Sequence, residues 1–217
     1  MAEPPEASAP SPHPRDPSPT RDALLRAGRA LFARRGYDGA SIRAITREAE
    51  ANLGAVTYHF GSKLALYEAV LASVLAPLAG RVHALAREPL PPLDRASSVV
   101  EAFFDHLRDN PDMPQLMLQE IAAGKPPPPP VSEALTTVLT AFARIVGDGQ
   151  ACGEIRQGDP VLLGLSCIIQ PIHLTLARGW LFHLRGLDVA APADRQHVVD
   201  HAITFARAAL VGREPSS

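Results

Sequence analysis

The run from Ser41 to Lys63, SIRAITREAEANLGAVTYHFGSK, constrains this chain more than any other stretch. Ile42, Ile45 and Ala49 recur at i, i+3 and i+7, the period of a helix with one apolar side. Ser41, just ahead of them, can accept the orphan N–H groups of a first helical turn. Glu50 and Ala51 fall where this short helix must turn, and Asn52 is a good N-cap for the next one. There Val56 and Phe60, spaced i, i+4, point toward a common core. That spacing predicts Gly54, Ala55 and Tyr58 on the opposite, outer face, with Asn52, Thr57 and His59 at its margins. Ser62 can cap a third helix, whose first turn carries Lys63.

Two short helices joined by a tight turn, the second with small residues outward, form a helix-turn-helix that can sink into a DNA major groove about 12 Å wide. Tyr58 and His59 can reach phosphates from such a position, and Lys63 would meet one beside the positive end of its helix. The charge distribution agrees. Thr20 to Tyr67 holds eight Lys or Arg against Asp22, Asp38, Glu48 and Glu50, whereas the whole chain carries a net −2. A basic front on an acidic remainder suits a phosphate-binding head attached to a body with another task.

The whole run resembles the DNA-binding motif of TetR-type bacterial transcriptional regulators, in which a stretch like ANLGAVTYHFGSK, here Ala51 to Lys63, is the recognition helix and the start of the helix behind it. The resemblance is specific from Thr20 to about Leu75 and architectural beyond. It implies that Ser41, Tyr58, His59 and Lys63 hold phosphates and that Arg43, Leu53, Gly54, Ala55 and Thr57 lie near base edges, with Asn52 opening the recognition helix. Arg43 is the candidate for a specific guanine contact, because a guanidinium can bond O6 and N7 together, a pair worth roughly 1 to 3 kcal/mol of discrimination. Thr57 is shorter than the Tyr or Asn of many relatives, and Glu50 stands where a turn Gly is frequent. The resemblance also implies an all-α chain of about nine helices: a helix-turn-helix DNA-binding domain over 20–66 and a helical ligand-binding and dimerisation domain over 67–213. Helices over about 159–184 and 192–212 would pair with their copies in a homodimer on a palindromic operator, and a small-molecule inducer would release it.

The remaining sequence is compatible with that plan. Residues 1–19 contain seven prolines and no apolar period, which reads as a disordered arm, and 214–217 as a tail. Thr20 opens a helix with Leu24, Leu25, Gly28, Leu31 and Phe32 on one stripe, ending at Gly36. A long helix over 62–87 carries Leu64, Tyr67, Val70, Leu71, Val74 and Leu75 inward and bends at Pro77. Further helices are expected over 90–110, 113–123 and 131–147. Another runs from the Asp159-Pro160 start to about Leu184, bent at Pro171, and a last one starts at Pro192. Lys125 to Pro130 reads as a stiff link, and no strand pattern is present. Pro160 to Ala177 is uncharged, but Ser166, Gln170, Pro171, His173 and Thr175 favour a buried helix over a membrane span. Lysine occurs only at 63 and 125 against 19 arginines, a bias that fits G/C-rich codons of a bacterial source.

Within the body, Phe103, Phe104, Leu107, Met113, Met117, Phe142 and Trp180 are candidates to line an inducer pocket, with His106, Glu120 and His173 as orienting polar groups. The same residues read equally well as plain core. A rival reading takes His197 and His201, at i, i+4 beside Asp194 and Asp200, as the metal pair of a helical sensor or metalloenzyme, although no third ligand is placed by spacing. Two cysteines, Cys152 and Cys167, make no disulfide framework, and nothing at the N-terminus reads as a signal peptide, so a cytoplasmic protein is expected. No nucleophile elbow, phosphate loop or carboxylate pair points to an enzyme, and no cofactor or metal is expected.

Overall fold

The computed structural model describes residues 17–211, which form ten helices and, among the described residues, no strand. They are α1 (Pro17–Gly39), α2 (Ile42–Glu48), α3 (Ala55–Phe60), α4 (Lys63–Leu85), α5 (Pro92–Asp109), α6 (Met113–Ala123), α7 (Pro129–Cys152), α8 (Pro160–Leu176), α9 (Arg178–Arg185) and α10 (Pro192–Val211). Most of the expected arm lies outside the described residues. Pro17 to Pro19 do not belong to it: they already form the first turn of α1, where a missing N–H costs nothing. The helical backbone of α1 is broken at Gly36 (φ 70°, ψ 175°), the end expected from sequence, and a separate short turn beyond that kink carries the element on to Gly39.

The head packs α1 and α3 against the front of α4, with α2 seated on α1 and α3. Leu24, Leu31, Phe32, Ile45, Val56, Leu66 and Val70 are buried there. Leu64 is exposed, contrary to expectation, and Leu66, two positions on, is inward instead, while Tyr67, Val70, Leu71, Val74 and Leu75 are buried as the spacing predicts. Beyond Val70, α4 continues unbroken across Pro77 into the body. Its Leu71, Val74 and Leu78 share one continuous core with Phe103 and Leu107 of α5, Phe142 and Ile145 of α7, and Ile168 of α8, which packs on α7 and α5. α7 and α8 approach closely because Gly164 has no side chain: a Cβ there would lie 2.8 Å from Phe142 Cδ1.

Three boundaries differ from the sequence reading. α7 starts inside the proline run, since prolines are tolerated in a first turn, and passes Gly147 to end at Cys152, capped by Gly153 at φ 80°. Packing outweighs the roughly 1 kcal/mol that a helical Gly costs, with Gly149 seated under Ile155. The expected single helix to Leu184 breaks at Ala177 instead of bending at Pro171, leaving α8 and α9 at 63° to each other. The uncharged run is thus α8, which buries Leu163, Gly164, Cys167, Ile168 and Pro171.

Candidate DNA interface

Each part of the interface is set by local chemistry. Ser41 is extended (φ −90°, ψ 148°) and its Oγ accepts from Ala44 N at 3.2 Å, which fixes the start of α2. Ile45 and Thr46 turn inward, Thr46 Oγ1 donating to Ile42 O at 3.0 Å, so Arg43 and Arg47 are left outside. The turn is closed by Ala51 N donating to Thr46 O at 2.9 Å, and it requires φ 52° at Glu50, the left-handed conformation that a Gly there would adopt without strain.

The second helix starts later than expected. Asn52 does not cap it; Asn52 to Gly54 form the turn, with Ala55 N donating to Asn52 O at 3.1 Å and Gly54 in the cap position without a side-chain bond. Ala55 packs inward beside Val56 and is not on the outer face, where the sequence reading had placed it. The outer face is built from Asn52, Leu53, Gly54, Thr57 and Tyr58, all exposed, Tyr58 at 79%. His59 is half-buried at the margin, its ring 4.9 Å from that of Tyr58, edge to face.

A cationic rim borders this surface. Ser62 Oγ accepts from Ala65 N at 3.0 Å and sets the start of α4, where Lys63 is the first residue. Lys63 Nζ rests 4.4 Å from the centroid of the Tyr37 ring, and the Arg21 guanidinium lies 5.1 Å from that of Phe60. Arg34 is engaged with Glu48 at 3.1 and 3.2 Å. The role of Tyr37 escaped sequence reasoning, because a Tyr one residue beyond Gly36 carries no motif of its own.

The head is tied to the body by polar contacts. Arg29 of α1 donates to Asp112 and Asn110, and Gln119 of α6 donates to Ala33 O at 2.9 Å. Tyr67 hydrogen-bonds Glu120; burial raises the Tyr67 pKa and the neighbouring carboxylate raises it further. His106 Nε2 donates to Val74 O at 2.8 Å, while its Nδ1 receives the Asn110 amide at 3.4 Å. Burial lowers the His106 pKa; the Val74 bond opposes this, and the charges of Arg29 and Arg81 lower it again.

Among the residues named for a pocket, Phe103, Phe104, Leu107, Met113 and Phe142 come together in the core, with Met117 half-buried against it. His106 and Glu120 are half-buried and already bonded within the chain. Trp180 is not among them: it is 77% exposed on α9, and His173 is exposed on α8. Cys152 is exposed and Cys167 buried, burial pushing the Cys167 thiol up to about 11. His197 and His201 are exposed on α10, and among the described residues no group of three or more His, Cys, Asp or Glu could hold a metal ion.

A turn-linked helix pair with its outer face bare, Arg21 and Lys63 beside it, standing on a helical body, defines a helix-turn-helix DNA-binding transcriptional regulator. The family model of bacterial regulatory proteins of the tetR family matches residues 24–70, and that of the tetracyclin repressor-like C-terminal domain matches residues 92–205. The chain belongs to the tetR family. It is 28% identical over 142 residues to the transcriptional regulator UidR of Escherichia coli, covering 63% of this chain and 69% of that one. With the transcriptional activator FasR of Mycolicibacterium smegmatis it shares 28% identity over 188 residues, covering 86% and 80% respectively. The fold is that of the hemolysin II transcriptional regulator HlyIIR, with a TM-score of 0.65 at 20% identity over 91% of this chain and 100% of that one. The fatty acid degradation regulator FadR of Bacillus halodurans matches at 0.66 and 14% identity, over 87% and 98%.

Proposed function

We propose that this regulator is a cytoplasmic homodimeric repressor that reads a palindromic operator and leaves it when a small molecule binds the body. The observation that carries the dimer is the outer side of α8. Leu162, Leu165 and Ile169, at i, i+3 and i+7, are exposed there, and Phe205 is exposed on α10. A contiguous apolar stripe of this kind is costly in water and is removed when it packs on its own copy about a two-fold axis. A two-fold pair of heads reads half-sites one helical turn, about 34–36 Å, or a multiple of it apart.

In this reading 20–66 is the DNA-binding domain and 67–213 the regulatory one. Ser41, Tyr58, His59 and Lys63 hold phosphates, Arg43 reads a base pair, and Asn52, Leu53, Gly54 and Thr57 line the groove. Ala55, buried beside Val56, makes no contact with the DNA in this reading. The inducer would open the core around Phe103, Phe104, Leu107, Met113, Met117 and Phe142, with His106 and Glu120 exchanging their present partners for the ligand. Because Arg29 and Gln119 join head to body, and Glu120 and His106 hold Tyr67 and Val74 on the helix that runs from one into the other, a ligand that favours the opened body would also favour a different head position, which is the coupling that release requires.

Sedimentation and selection from random duplexes test this together. A dimer selecting an inverted repeat is expected; a monomer at working concentration, or a selected site without two-fold symmetry, overturns it. Deleting the gene should raise transcription beside the selected site, and a fall instead would make the protein an activator.

A further inference from the structure

Lys63 is in an unusual place for a cation. It is the first residue of α4, where the helix N-terminus is itself positive, and among the described residues no carboxylate forms an ion pair with it. What faces it is the Tyr37 ring, with the ammonium 4.4 Å from the centroid, within the roughly 6 Å of a cation–π contact. That ring is itself held. Its centroid is 5.1 Å from that of Tyr67, which lies 4.8 Å from Phe32 edge to face, and Tyr67 is anchored through its hydroxyl to Glu120.

We propose that Tyr37 is a positioning residue for DNA binding: its ring face holds the Lys63 ammonium in place beside the α4 N-terminus, ready for a backbone phosphate. The proposal rests on Lys63 being a phosphate contact. An ammonium has three donors, so one side can stay on the ring while the other bonds a phosphate oxygen. A flexible lysine otherwise gives up rotamer freedom on being fixed. The ring removes part of that cost before DNA arrives, and it does so without the carboxylate that would repel the phosphate. No hydrogen bond is formed by the Tyr37 hydroxyl among the described residues, so the ring face alone is the working part.

Replacing Tyr37 by Phe, and then by phenylalanines bearing one, two and three ring fluorines, keeps shape and packing while draining the π-face. Operator affinity of the full chain should be unchanged in Tyr37→Phe and then fall stepwise, about three- to tenfold in all, with the melting temperature constant. In a Lys63→Ala background the same series should have no effect. Equal affinity along the series, or the same stepwise loss without Lys63, overturns the role of Tyr37. If Lys63→Ala by itself leaves affinity and its salt slope unchanged, the phosphate reading fails and this proposal with it, an outcome separate from a flat fluorine series.

Discussion

Arg29 and Asp112 are 83 positions apart in the chain and joined side to side, Arg29 Nε donating to Asp112 Oδ2 at 2.7 Å while Nη2 engages the other carboxylate oxygen and Asn110. Helix α1 of the head is thereby bolted to the N-terminus of α6 in the body. Partial burial works against the charged carboxylate, but the Arg29 hydrogen bonds and charge outweigh it and hold Asp112 below the usual carboxylate range. A depressed acid contributes stability that is complete above its ordinary pKa of about 3.9 and is lost as the pH falls through its lower folded value. Asp112→Asn should therefore lower stability by about 1–2 kcal/mol at neutral pH and lose less than the parent on acidification below about pH 4. Thermal melts across that range check it; parallel curves would contradict it.

His106 titrates in the opposite chemical sense with the same sign. Its pKa is lowered by burial, and it is faced by Arg29 from α1, Arg81 from α4 and Asp109 on its own helix. The unfolded chain takes up the proton first, so stability is complete above about pH 6.5 and declines as the pH falls from there to the folded pKa. His106→Gln should flatten the dependence of melting temperature on pH between about 7.5 and 5.5 relative to the parent. An unchanged slope would show that other groups carry it.

Glu50 holds a left-handed turn at φ 52°, a conformation that costs an L-residue with a Cβ roughly 1–2 kcal/mol. Glu50→Gly relieves it, at the expense of more freedom in the unfolded chain, for a net gain of about 0.5–1 kcal/mol. Denaturant titration should give a higher midpoint at unchanged slope. A loss of stability would mean that the Glu50 side chain contributes something beyond its backbone.

Arg43 and Tyr58 are both exposed on the interface, from different helices. Arg43→Ala should cost about 1–3 kcal/mol on the selected operator and little on random DNA, relaxing one base position in each half-site. Tyr58→Ala should weaken both by the same factor, because a phosphate contact carries no sequence information. Equal loss on both DNAs for Arg43→Ala would reassign it to the backbone.

Elements were legible where a cap and an apolar period agreed. Ser41, Ser62 and Asp159 all accept the N–H groups read from sequence, and α6 ends at Gly124, φ 61°, as its composition indicated. The start of α3 was not legible, since Asn52 is a good cap by residue type and a small Ala55 carries no signal of which way it faces. Nor was the break at Ala177: Pro171 is the obvious breaker, yet α8 passes it, with Thr175 Oγ1 donating to Pro171 O at 2.8 Å. Arg29 with Asp112, and Lys63 with Tyr37, are pairs that only the folded chain brings together, and periodicity along the sequence holds no trace of them.

The Arg29–Asp112 bolt also limits which trunks this head can be grafted onto. A hybrid that joins this reading head to the trunk of a cousin would leave a guanidinium stranded in a seam with only a quarter or so of its surface in water, and Ala33 O without the Gln119 amide. In this chain, then, a trunk carrying Asn110, Asp112 and Gln119 is what lets the head keep Arg29 and Ala33 satisfied at the seam.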